Sequence, residues 1–136
     1  MRLLFLFLAL IIPASGFAQL EFSDAWIKNL PPPVPVRAGY MTIHNSQSRA
    51  MSIVAIHSDA FASVEIHQTR MQDGMMRMDP VPNLTIAPGE TVQLAPGGLH
   101  LMMMQPVEPT QPGDIHRITL EFDDGSSQTL ELTVRK

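Results

Sequence analysis

Cysteine is absent from all 136 residues. That removes disulfides, zinc fingers, iron–sulfur clusters, thiol redox chemistry and the His₂Cys copper site of electron-transfer proteins. Aromatics are scarce, with one Trp, one Tyr and six Phe. Basic charge is scarce too: nine Lys and Arg stand against thirteen Asp and Glu, for a formal net charge of −4. An acidic chain gives nucleic acid no electrostatic hold. The sequence contains neither a G-x-S-x-G nor an H-E-x-x-H motif, which leaves the common hydrolase chemistries without a signature. No apolar run of membrane-spanning length occurs; Leu3–Ile12 is too short for a comfortable span and no stop-transfer segment follows.

What is present at the amino end reads as an export signal. Arg2 precedes the apolar run, and Gly16-Phe17-Ala18 satisfies the small-x-small rule for cleavage. Residues 1–18 are therefore expected to be a signal peptide and 19–136 a single exported domain, with an uncleaved amino-terminal anchor as the alternative. With no cysteine after the apolar run, a lipid anchor on cysteine is not expected. The remaining domain must fold on core packing alone, which its length allows.

That domain reads as strands throughout. Helical periodicity is missing, and short β-rich runs alternate with turn signals. Strands are expected near Phe22–Lys28, Gly39–Asn45, Met51–His57, Ala62–Thr69, Met75–Asp79, Thr91–Leu94, Leu99–Met104, His116–Phe122 and Gln128–Val134. Asp73-Gly74, Ala87-Pro-Gly-Glu90, Ala95-Pro-Gly-Gly98, Gln111-Pro-Gly-Asp114 and Asp123-Asp-Gly125 supply turns. Leu30–Pro35 is expected to be a polyproline-II loop. Strands at this spacing point to an all-β sandwich or barrel. Trp26 is expected to anchor its core.

Ten methionines run through this chain, and their placement relative to histidine matters more than their number. A hairpin centred on Asp73-Gly74 pairs Met71 with Met76 and Thr69 with Met78. Side chains alternate along strands, so His67, Thr69, Met71, Met76 and Met78 share a face. His67 and Met78 become diagonal neighbours, about 7–8 Å apart at Cα. His100 and Met102 likewise project to one face about 6.6 Å apart, while Leu99, Leu101 and Met103 point to the core. Thioether and neutral imidazole together suit Cu(I) better than Zn(II), Ca(II) or Mg(II). Methionine also fills cores, so these pairs alone leave a packing role open. Met71, Met76 and Met104 could assist a metal site, with surface or packing roles as the default. Met41, Met51, Met75 and Met103 are expected in the core or an interface. His44, His57 and His116 are isolated from methionine and are not expected to bind metal.

The spacing His67-x10-Met78-x21-His100-x-Met102 resembles the signature of the periplasmic copper(I) chaperone family PCuAC. VEIH at 64–67, DGMMRMDPV at 73–81, APGETVQL at 87–94 and PGGLHLMMM at 96–104 are similar to that family as well. The resemblance implies a cupredoxin-like Greek-key β-sandwich that holds one Cu(I) per chain through His67, Met78, His100 and Met102. It further implies delivery of copper to a respiratory oxidase copper centre in the periplasm, the partner being an oxidase subunit or another copper chaperone. Some members carry a His- and Met-rich tail that handles Cu(II); nothing of that kind follows Val134 in this sequence. Copper sequestration and an exported, metal-free interaction module are the competing readings. An oxygen-activating copper enzyme is disfavoured because it needs an open coordination position and redox cycling.

Overall fold

The computed structural model describes residues 19–136; the expected signal peptide, 1–18, lies outside the described residues. The described residues form ten strands and no helix: β1 (Glu21–Lys28), β2 (Val36–His44), β3 (Met51–His57), β4 (Phe61–Gln72), β5 (Met75–Pro80), β6 (Leu84–Ile86), β7 (Thr91–Leu94), β8 (Leu99–Pro106), β9 (Ile115–Phe122) and β10 (Ser127–Arg135). All nine expected strands are present. The three-residue β6, framed by Pro82 and Pro88, is additional; it is too short to carry an alternation signal, and it exists because β3 offers it a pairing edge. β2 and β8 run longer than their turn residues suggest, because Val36–Gly39 and Leu101–Met104 pair with each other.

The strands hydrogen-bond in the order β5-β4-β8-β2-β1-β10-β9-β3-β6, with β7 on the free stretch of β2. Pairing is antiparallel except between β1 and β10. Most neighbours are distant in sequence, the interleaved wiring of a Greek key. The sheet is continuous, yet it bends over one interior, giving the two facing layers of a sandwich. β1 makes the bend: its register shifts between Ser23 and Trp26, where Asp24 takes a positive φ of 49°. A bulge of this kind lets a strand turn the corner from one layer to the other.

One apolar cluster fills the interior. Met41 and Ile43 of β2, Val64 and Ile66 of β4, and Leu101 and Met103 of β8 meet Met51 and Ile53 of β3, Ile118 and Leu120 of β9, and Leu132 and Val134 of β10. Each such side chain contributes about 1.5–3 kcal/mol when fully buried. The core is tight where β2 crosses β8. A Cβ on Gly39 would lie 3.0 Å from Leu101 Cβ and 3.2 Å from Met103 Sδ. Glycine is the residue that lets these two strands approach.

Three expectations need correction. Met75, expected in the core or an interface, is not in the core: it lies exposed on the hairpin, opposite Gln72. Strand parity turns it to the face away from Met76, where no other layer covers it. Trp26 is not a core anchor. It is half-buried on the outer surface, 4.9 Å from Tyr40 between ring centroids, with the Arg135 guanidinium 5.4 Å over its ring; Ile27 takes the inward position instead. The Leu30–Pro35 stretch is a loop, but a turn closed by Val34 N–H to Pro31 carbonyl (3.0 Å) interrupts any polyproline-II run.

The proline loop is held from inside by Arg37, which is 1 % exposed. Its guanidinium donates to Thr110 Oγ1 at 2.7 Å and to the carbonyls of Val34 and Val36 at 2.7 and 2.8 Å. Thr110 in turn donates to Asn29 Oδ1. A buried charge is tolerated only when its donors are met in this way.

Candidate metal centre

The outer face of β5, β4, β8 and β2 collects the histidines and methionines. Core residues Val64 and Ile66 point inward on β4, which sends Glu65, His67 and Thr69 outward. On β8, Leu101 and Met103 point inward, which sends His100 and Met102 outward. The hairpin closes as the dipeptide demands. Asp73 and Gly74 have φ of 52° and 74°, the two positive values of a type I′ turn. Met71 is paired with Met76 and Thr69 with Met78, as expected from the sequence.

The β4–β8 register adds a relation that no local pattern announces. His67 lies directly opposite His100, and Glu65 opposite Met102. The two imidazoles sit 6.1 Å apart between centroids at a 46° tilt. Met78 and Met102 flank His67 diagonally on the strands to either side.

Both imidazoles are held by one nitrogen and unpartnered at the other. His67 Nε2 lies 2.8 Å from Glu65 Oε2, and His100 Nδ1 lies 3.0 Å from the Gly98 carbonyl. An ionised carboxylate and a carbonyl only accept, so each contacted nitrogen carries the proton. In the neutral rings the other nitrogens, His67 Nδ1 and His100 Nε2, are the ones that keep a lone pair. Both are buried, and neither has a hydrogen-bond partner. Leaving a buried acceptor unpaired costs about 1–3 kcal/mol, and two on one sheet face call for an occupant. An N–H anchored on oxygen opposite a free lone pair is the arrangement of a metal-ligating histidine.

A cavity of about 260 Å³ opens over this face, lined by His100, Met102, Met76, Met78, Thr69 and Gly97, with Leu30, Val36, Ala38 and Tyr40 as its far wall. His100 is 5 % exposed, whereas Met78 is 50 % exposed, so the site is closed at its imidazole floor and open at its thioether rim. Burial pushes the Tyr40 phenol up, so it contributes no anionic oxygen. Among the described residues, no group of three or more His, Asp or Glu is arranged to hold a metal ion.

Other expectations resolve plainly. His44 is bonded to Thr91 and His57 to Glu121. His116 stacks edge-on against Phe61 with its Nε2 unpartnered, on β9, which is remote in the strand order from the methionines of β4, β5 and β8. Met104 faces Val36 and Ser63 at the far end of β8 and does not line the cavity. Asp79, a neighbour of Met78 in sequence, is engaged by Arg70. Sequence reasoning missed the wall from β2, since alternation shows that Val36, Ala38 and Tyr40 share a face but not which strand lies beside them.

Comparison with known proteins agrees with this architecture. The LpqE-like family, described as "Putative lipoprotein LpqE-like", matches residues 20–134. "Putative lipoprotein Lxx21020" of Leifsonia xyli subsp. xyli is 30% identical over 124 residues, covering 90% of this chain and 74% of that protein. Protein RP573 of Rickettsia prowazekii is 30% identical over 128 residues, covering 91% and 70%. Among solved structures, the Cu(I) form of DR1885 from Deinococcus radiodurans is similar at a TM-score of 0.68 and 31% identity, covering 83% of this chain and 76% of that one. The copper-bound PCuAC domain from PmoF2 superposes at a TM-score of 0.71 with 21% identity, covering 85% and 92%; at that identity it supports the fold alone. The lipoprotein name points to export, although this sequence has no cysteine to carry a lipid. With all but the edges of its described residues matched, and with the cupredoxin-like sandwich of PCuAC domains, the chain belongs to the LpqE-like family.

Proposed function

We propose that the protein is a periplasmic copper chaperone. It binds one Cu(I) through His67, Met78, His100 and Met102 and passes it to a copper-accepting partner, a respiratory oxidase subunit or another copper chaperone. The observation that carries this reading is the pair of buried, unpartnered imidazole nitrogens on the sheet face that also holds two thioethers. DR1885, related at 31% identity, has been solved as its Cu(I) form, which supports the choice of ion. Two neutral nitrogens and two thioethers leave the cation's charge uncancelled. That favours Cu(I) over Cu(II), which gains more from charged or hard donors. The same set provides no open position for substrate, so the protein acts as a carrier and not an enzyme. The half-exposed Met78 lets an incoming donor reach the metal before the old ligands leave. Residues 1–18 are the export signal in this reading.

The test is anaerobic Cu(I) titration with X-ray absorption on the loaded protein. One equivalent per chain with a mixed nitrogen and sulfur environment is expected. An environment of nitrogen and oxygen alone, or two equivalent tight sites, would overturn the assignment. Transfer to an apo oxidase copper domain, followed by its visible spectrum, separates delivery from sequestration.

A further inference from the structure

Methionine is used in two ways in this fold. Met41, Met51 and Met103 are buried core filler. Met71, Met75, Met76 and Met78 are all on one hairpin, and all are at least half exposed. Exposed strands gain nothing from methionine over threonine or a charged residue, so core filling does not account for this second group. Parity divides it. Met75 points to one side, while Met71, Met76 and Met78 share the side that carries the cavity. Met71 stands directly opposite Met76, with Cβ atoms about 4.5–5.5 Å apart in such a pair. Met76 and Met78 are two residues apart on β5, about 6.8 Å along the strand. Met76 also lines the cavity with Met78, His100 and Met102, whereas Met71 lies beyond its rim.

We propose that Met71, Met76 and Met78 form a second, weaker soft-metal site, through which the monovalent cargo enters and leaves the inner site. This rests on the reading that the cargo is Cu(I). Three thioethers bind a soft monovalent ion and discriminate against hard divalent ones. Met78 belongs to both donor sets. An ion on the outer trio reaches the inner site by exchanging the sulfurs of Met71 and Met76 for His67 Nδ1, His100 Nε2 and the Met102 sulfur. The ion stays monovalent throughout. The outer trio is the more exposed, with Met71 and Met76 each 66 % exposed, so ions and competing donors meet it first. Sharing Met78 and repulsion between two nearby cations make the outer site weak when the inner one is full.

Silver(I), soft, monovalent and redox-inert, is the probe, followed by NMR of ¹³C-labelled methionine methyls. The first equivalent should move the Met78 and Met102 methyls, and further Ag(I) should move those of Met71 and Met76. The double variant Met71→Leu/Met76→Leu conserves volume, and core chemical shifts report that it folds. It should keep the first phase and lose the second. Handover of Cu(I) from the variant's inner site to a small soluble chelator should slow several-fold. A chelator has no protein surface, so slowed handover cannot come from a lost apolar docking patch. Met71 and Met76 methyls that stay still throughout, or a handover rate unchanged in the variant, would overturn the outer site. Failure of the first equivalent to move Met78 and Met102 counts against the inner site instead, and Met71 and Met76 still report on the outer one.

Discussion

At the scale of single residues, parity decides what a side chain can do. Met102 and Met103 are adjacent, but Met103 is wholly buried and Met102 lines the cavity. Met102→Leu should therefore weaken Cu(I) binding while Met103→Leu leaves it nearly unchanged, each costing no more than about 1.5 kcal/mol of stability. Competition against a Cu(I) chelator reads the first, and urea unfolding the second. Equal losses of affinity would mean the two faces are misassigned. The ligand candidates were legible because alternation and a hairpin turn are local rules, and both hold here. The facing of His67 and His100 was not legible: it follows from the β4–β8 register, which joins segments more than thirty positions apart and leaves no local trace. The Glu65 carboxylate meets His67 within β4, two residues away on the same face, which alternation alone places there. Glu65 is itself a prediction. Glu65→Gln keeps an acceptor but allows an amide N–H to face His67 Nε2 instead, so the tautomer is no longer fixed. Cu(I) affinity should fall about tenfold, the lower range for outer hydrogen-bond partners of metal ligands. The ¹⁵N shifts of the His67 ring in the metal-free protein should show mixed tautomers, a signature that a general loss of stability does not produce.

At the scale of elements, what the turns dictate and what the pairing dictates separate cleanly. Hairpin β4–β5 was legible from Asp73-Gly74. The extension of β2 back to Val36 was not, because the prolines before it mark a loop and only β8 supplies the partner that continues the strand. The β2–β8 crossing also sets a limit on substitution. Gly39→Ala places a methyl against Leu101 Cβ, an atom fixed to the backbone that cannot swing away. Overpacking of this kind costs about 1–3 kcal/mol. Because Ala38 and Met102, the neighbouring pair, line the candidate site's cavity, unfolding and copper titration on the same variant should both register the strain. At the opposite layer, the β9–β10 turn is held by Asp124. Hydrogen bonds from the Ser126 hydroxyl, the Arg49 guanidinium and the Ser126 amide keep its carboxyl well below the usual carboxylate range. A depressed carboxyl contributes stability above its unfolded pKa of about 3.9, and that contribution fades as pH falls further. Asp124→Asn should thus be less stable than wild type at pH 7, with the gap narrowing below about pH 4 in denaturant titrations. A gap that widens on acidification would contradict this sign.

At the scale of the whole molecule, the proposed donors come from β4, β5 and β8, and no one segment holds them all. The unfolded chain therefore has no comparable site, and copper binding must add to folding stability. With free Cu(I) at a thousand times its Kd the gain is about 4 kcal/mol, which calorimetry under anaerobic conditions should read as a raised Tm that depends on copper concentration. A Tm indifferent to copper would mean that the ligands do not require the fold. The parallel ladder between the first and last strands has a different, mechanical consequence. Trp26, Ile27 and Lys28 run beside Thr133, Val134 and Arg135 in the same direction. Tension between residue 20 and residue 135 acts along this ladder and not across it. Rungs loaded in shear share the force and yield together, where rungs loaded like a zipper yield singly. Pulled by these two points, the sandwich resists at the seam between these two strands, while the candidate metal face of β4, β5 and β8 lies off the line of force.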